Sequence, residues 1–141
     1  MTTYSGSCAC GAVEFDVTGE AVAEAYCHCR ISASWSGTPV SPIVVVPAGS
    51  IRVTRGAEDL GTFKKTPSAN RKFCTKCGGH VLCEIPGDAL EEFYPDTLPE
   101  YPFEPSAHIF YGSWSLAMPD GLPKFKGMPA EFGRSGETVP E

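Results

Sequence analysis

Residues 11–19 read GAVEFDVTG, with Val13, Phe15 and Val17 apolar and acidic residues between them. Strict alternation predicts a strand with one face buried. Gly19 ends it, and residues 22–26 lead as a second extended run into a Cys-His-Cys triplet. Residues 40–46, VSPIVVV, predict an apolar strand whose Pro42 sets an edge or an irregular start. The turn PAGS then gives way to IRVTRG, where Ile51 and Val53 alternate with polar neighbours. Residues 60–64, 81–85 and 107–113 predict three further strands. Helical periodicity is nearly absent, and only residues 88–93, DALEEF, predict a single helical turn. From Pro119 the chain is rich in Pro and Gly, which predicts an extended tail over about 119–141. No internal repeat and no interdomain linker interrupt the pattern, so residues 1–141 are expected to form one all-β domain.

Composition supports short strands and turns, with 15 glycines and 13 prolines among 141 residues. A net charge of −6 works against a nucleic-acid partner, because phosphate binding needs concentrated Lys and Arg. The densest basic stretch, Lys64, Lys65, Arg71, Lys72 and Lys76, reads as a solvated face. No apolar run of about 18 residues exists to cross a membrane. The opening MTTYSGSCAC has neither the basic region nor the apolar stretch of a secretion signal, so a cytoplasmic location is expected.

The seven cysteines change the picture. Six fall into close pairs: Cys8/Cys10, Cys27/Cys29 and Cys74/Cys77, with Cys83 in an apolar run. In a reducing compartment such pairs point to metal binding rather than to disulfides. Zinc takes four tetrahedral ligands in closed sites, and a thiol pair on a tight turn supplies two of them. The strongest local signal is FCTKCGG, residues 73–79, where Gly78 permits a left-handed turn and successive N–H groups can face the sulfurs. Spacing alone leaves open whether Cys8/Cys10 or Cys27/Cys29 completes that site.

GSCACGAVEFDV (6–17), YCHCR (26–30), PAGSIRVTRG (47–56), RKFCTKCGGHV (71–81) and HIFYGSWS…DGLPKFKGMP (108–129) together resemble the glutathione-dependent formaldehyde-activating, or Gfa-like, family. The resemblance implies an Mss4-like fold of short antiparallel strands stapled by zinc. It implies a structural zinc on Cys8, Cys10, Cys74 and Cys77. It further implies a second, catalytic zinc on a C-H-C-x-x-C hook, whose first two ligands match Cys27 and Cys29. The third ligand falls on Ser32.

The family reaction joins the thiol of glutathione to formaldehyde, giving S-hydroxymethylglutathione, and belongs to the carbon–sulfur lyases. An open zinc position suits it, since the metal deprotonates a coordinated thiol for attack on a carbonyl carbon. A serine hydroxyl is a hard, protonated donor and weakens a soft site. His28, His80 or Cys83 would have to complete that site, or Ser32 would have to ligate weakly. The resemblance thus implies a catalytic role for Cys27, Cys29 and Ser32, while Arg30 is a candidate anchor for a glutathione carboxylate. Trp35 and Trp114 are expected in the core or a pocket wall. Two readings follow: a lyase acting on a glutathione-type adduct, or a zinc-stapled binding module whose second site is lost through Ser32.

Overall fold

The computed structural model describes residues 2–141, which divide into two compact units. One is built from residues 2–23 and Val44–Phe103, the other from Glu24–Ile43 and Glu104–Glu141. Strands dominate and one short helix is present, so the fold is all-β.

In the first unit, β1 (Thr3–Ser7), β2 (Glu14–Thr18) and β5 (Ile51–Arg55) form an antiparallel sheet in the order β1-β2-β5. Phe15 and Val17 point into the core, as their alternation predicts. The second set of strands comprises β4 (Ser41–Pro47), β6 (Leu60–Phe63), β7 (Asn70–Cys74), β8 (His80–Ile85) and β9 (Leu90–Phe93). They run in the order β4-β9-β8-β7-β6, each antiparallel to its neighbour. Val81, Leu82 and Cys83 are all buried, as suits an inner strand covered on both faces. The core joins Val13, Phe15, Val17, Val44, Val46, Phe93 and Leu98 to the thiols Cys8 and Cys74.

Residues 88–93 do not form the expected helical turn. A 3₁₀ turn at Pro86–Asp88 leads into β9, which lies between β4 and β8. Pairing on both edges overrides the local propensity of LEEF. It also buries Glu91, whose Oε1 accepts the Ile51 N–H at 2.7 Å. Two strands, β1 and β7, carry no clear apolar alternation and escaped the sequence pattern.

In the second unit, β3 (Ala23–Cys27) and β10 (Ala107–Ile109) pair in parallel, with His108 opposite Tyr26 and Ile109 opposite Cys27. The strand pairs of the first unit are antiparallel, whereas this one is parallel. The helix α1 (Arg30–Ser36) starts immediately after the Cys-His-Cys triplet and was not foreseen. Two observations explain its ends: Cys29 caps it, and Gly37 terminates it in a left-handed conformation. The strand expected over 107–113 stops at Ile109, because Phe110 takes φ +53° and a 3₁₀ turn follows at Tyr111–Ser113. Residues 119–141 contain a 3₁₀ turn at Ala130–Phe132 and bond along β10: the His108 N–H reaches the Pro123 carbonyl, and the Phe125 N–H returns to the His108 carbonyl, both at 2.9 Å.

Candidate metal centre and thiol site

Two tight turns of the first unit bring four thiols together. In one, the Cys8 N–H bonds the Val13 carbonyl at 3.0 Å; in the other, the Cys74 N–H bonds the Gly79 carbonyl at 2.9 Å. Each loop reverses through a left-handed glycine, Gly11 at φ +77° and Gly78 at φ +78°, where a side chain would be strained. Gly79 lets the loops approach, since a Cβ there would lie 3.3 Å from the Ala9 nitrogen and 3.7 Å from the Cys8 Cβ. The sulfurs of Cys8, Cys10, Cys74 and Cys77 all lie within 4.8 Å of one another.

These distances suit a tetrahedral ion. Cys8 Sγ lies 3.7 Å from Cys10 Sγ, and Cys10 Sγ lies 3.8 Å from Cys74 Sγ. The edge of a tetrahedron with zinc–sulfur bonds of about 2.3 Å is about 3.8 Å. Backbone N–H groups of Val13, Lys76 and Gly79 donate to the sulfurs of Cys8, Cys74 and Cys77, each at 3.3 Å. Such donors favour thiolates. Four thiols in contact nevertheless cannot all ionise by themselves. Cys77 is pulled down to about 6, chiefly by the Gly79 N–H. The Ala12 N–H acts the same way on Cys10, yet desolvation and the neighbouring sulfurs push that thiol up to about 11. A divalent cation resolves the conflict, and this cluster could hold one. Close to the cluster in sequence, Lys76 pairs with Asp59 at 3.5 Å and Lys72 with Glu84 at 3.8 Å.

The second unit holds Cys27, His28, Cys29, Arg30 and Ser32. Cys29 sits at the cap of α1, where its sulfur accepts the Ser32 N–H at 3.4 Å and its thiol donates to Ser32 Oγ at 3.0 Å. The helix start therefore brings the first and last side chains of C-R-I-S into contact, with oxygen where a third sulfur was expected. Cys27 is buried at the end of β3. Among the described residues, the four-cysteine cluster is the group of three or more His, Cys, Asp or Glu donors close enough to share an ion. His28, in the same unit as Cys27 and Cys29, forms no such group with them. Arg30 is exposed at the first position of α1. Trp35 is half-buried, whereas Trp114 is 48% exposed rather than in a core.

His28 instead turns into a polar chain that the sequence did not announce. Its Nε2 lies 2.8 Å from His108 Nδ1, and His108 Nε2 lies 2.7 Å from Asp120 Oδ2. Lys124 Nζ donates to Asp120 Oδ1 at 2.6 Å and to Glu141 Oε2 at 3.0 Å. Burial, with the charges of His108 and Lys124, holds the His28 imidazole down to about 4, so its ring is neutral. Burial opposes the ionisation of Asp120, but hydrogen bonds from Lys124 and His108 prevail and hold its carboxyl below the usual carboxylate range.

Residues 3–113 match the family described as glutathione-dependent formaldehyde-activating enzyme. The chain belongs to that family. The match takes in the four-cysteine cluster, the Cys-His-Cys triplet and α1 of this Gfa-family chain. A curated relative, an uncharacterized lyase of Schizosaccharomyces pombe, is 27% identical over 78 residues. That alignment spans 55% of this chain and 55% of the relative's length. A crystal structure of a Rhodobacter sphaeroides protein superposes with a TM-score of 0.60 at 22% identity, over 70% of this chain and 90% of that one. At that identity the likeness shows a shared fold for this Gfa-family chain.

Proposed function

We propose that the protein is a zinc-stapled carbon–sulfur lyase acting on the adduct of a small thiol, of the S-hydroxymethylglutathione type. Cys8, Cys10, Cys74 and Cys77 hold the structural zinc, which supplies a closed staple between the two turns and takes no part in the reaction. The reacting thiol is taken up by Cys27, Cys29 and Ser32 around the start of α1, with Arg30 available to a substrate carboxylate. The observation that supports this reading is the Cys29–Ser32 contact of 3.0 Å, which holds two of the three hook positions together although the last donor is oxygen. The lyase name of the yeast relative supports the reaction class. Seven free cysteines fit a reducing, cytoplasmic setting.

The serine itself favours the second reading, a binding module without turnover. Exchange of isotope-labelled formaldehyde with S-hydroxymethylglutathione, followed by NMR with and without the protein, separates the two. Acceleration that is lost in Cys29→Ser supports the lyase. Exchange at the uncatalysed rate, with glutathione still bound, establishes the binding module.

A further inference from the structure

The four sulfurs of the first unit differ in reach. Cys8 and Cys74 are buried, at 3% and 0% exposure, whereas Cys10 and Cys77 are exposed, one on each turn. Beside Cys10 opens a cavity of about 470 Å³, within the range of small-molecule sites. The next residue, Gly11, lines the same cavity and has no side chain to shield the sulfur. Charge decides what enters. Glu14, Glu58 and Asp59 line the cavity with Arg55 and Lys76, three carboxylates against two cations. Both cations are already engaged, Arg55 with Glu14 and Lys76 with Asp59, each at 3.5 Å. Four thiolates on a divalent ion leave two further negative charges beside them. An anion is therefore repelled from Cys10, and a neutral electrophile is not.

We infer that Cys10 and Cys77 form an oxidation site for a neutral hydroperoxide, and that their disulfide takes over from the metal as the tie between the two turns. This goes beyond the lyase chemistry and rests on the zinc assignment of the reading above. The Cys10 thiolate attacks one oxygen of hydrogen peroxide; an S–O bond forms, the O–O bond breaks and hydroxide leaves. The Cys77 thiolate then attacks the sulfenic sulfur, an S–S bond forms and the hydroxyl departs as a second hydroxide. Two thiolates thus lose two electrons while one peroxide is reduced to two hydroxide ions. Cys77 is the resolving thiol because its sulfur lies within 4.8 Å of the others and its side chain is exposed. Bridging requires the sulfurs to close to about 2.05 Å, a shift that a thiol packed in the core, as Cys8 and Cys74 are, makes less readily. Those two alone offer two donors where a closed zinc site takes four, so the ion is released. A reduced thiol reverses the bridge and restores the ligands.

Hydrogen peroxide added to the reduced, zinc-loaded natural chain tests this, with a chromogenic chelator reading the metal and mass spectrometry the thiols. About one zinc should be released per chain, and the intact mass should fall by two hydrogens. Alkylated digests should link the peptide of Cys10 to that of Cys77. Reduced glutathione with added zinc should restore the starting state. Cys27→Ser/Cys29→Ser should respond in the same way, which removes the other close thiol pair as the source of the bridge. Oxidised glutathione, an anion, should release zinc more slowly than peroxide at equal concentration. Zinc that stays bound in peroxide, or a bridge that leaves out Cys10 or Cys77, overturns the proposal while the metal staple stands. Faster release by oxidised glutathione overturns the assignment of a neutral oxidant. A chain that takes up no zinc at all overturns the staple and this proposal together.

Discussion

Replacing Cys10 and Cys77 together by alanine removes half of the sulfur cluster without opening the core, because both are exposed while Cys8 and Cys74 are buried. What the variant loses is the cross-link between two turns. Cys10 and Cys74 stand 64 residues apart, and a tie closing a loop of that length removes about 4 kcal/mol of chain entropy from the unfolded state. Against a total stability of about 5–15 kcal/mol this is a large share. For a chain of this size it corresponds to a fall in Tm of roughly 10–20 °C. Thermal unfolding followed by circular dichroism, with excess zinc and then with a chelator, provides the assay. The natural chain should lose that interval on chelation, and the variant should start low and ignore both reagents. Equal Tm values for the natural chain and the variant in zinc would refute the reasoning, since the sulfurs would then be neighbours without a shared ion.

Lys124→Met should destabilise by roughly 2–3 kcal/mol, less than the roughly 3–5 of a fully buried pair because the Asp120 side chain is 34% exposed; urea unfolding reads the loss. Asp120 has a lowered folded pKa, so its contribution is present above its unfolded value of about 4 and disappears as the pH falls through the folded one. Urea unfolding at a series of acid pH values should therefore show an acid limb that flattens in Asp120→Asn. Ser32→Cys should raise zinc from about one to about two per chain, because Ser32 Oγ already lies 3.0 Å from the Cys29 sulfur; an unchanged metal content would show that the hook is not aligned for an ion.

Much of this was legible because the motifs are local. The alternation of Val13, Phe15 and Val17 fixes which face of β2 is buried, and Cys74-x-x-Cys77-Gly78 specifies its own turn. Other features depend on partners distant in sequence. LEEF is a strand only because β4 and β8 flank it, and α1 depends on a thiol serving as its cap. The choice of Cys8/Cys10 over Cys27/Cys29 as partner of the late pair needed the family resemblance, and the fold then set those four sulfurs together. The chain from His28 through His108 to Asp120 and Lys124 spans nearly 100 residues, from 28 to 124, and its members look like isolated polar residues in sequence. Lys124 gave no signal, since a lysine in a Pro/Gly-rich tail reads as solvated until its buried ion pair is seen.

Zinc per chain on purified, reduced protein is the most direct test of the account. The natural chain should carry about one zinc, as should Cys27→Ser/Cys29→Ser, while Cys10→Ala/Cys77→Ala should carry none. Zinc that stays with Cys10→Ala/Cys77→Ala and leaves with Cys27→Ser/Cys29→Ser would contradict the assignment of the staple to the four-cysteine cluster.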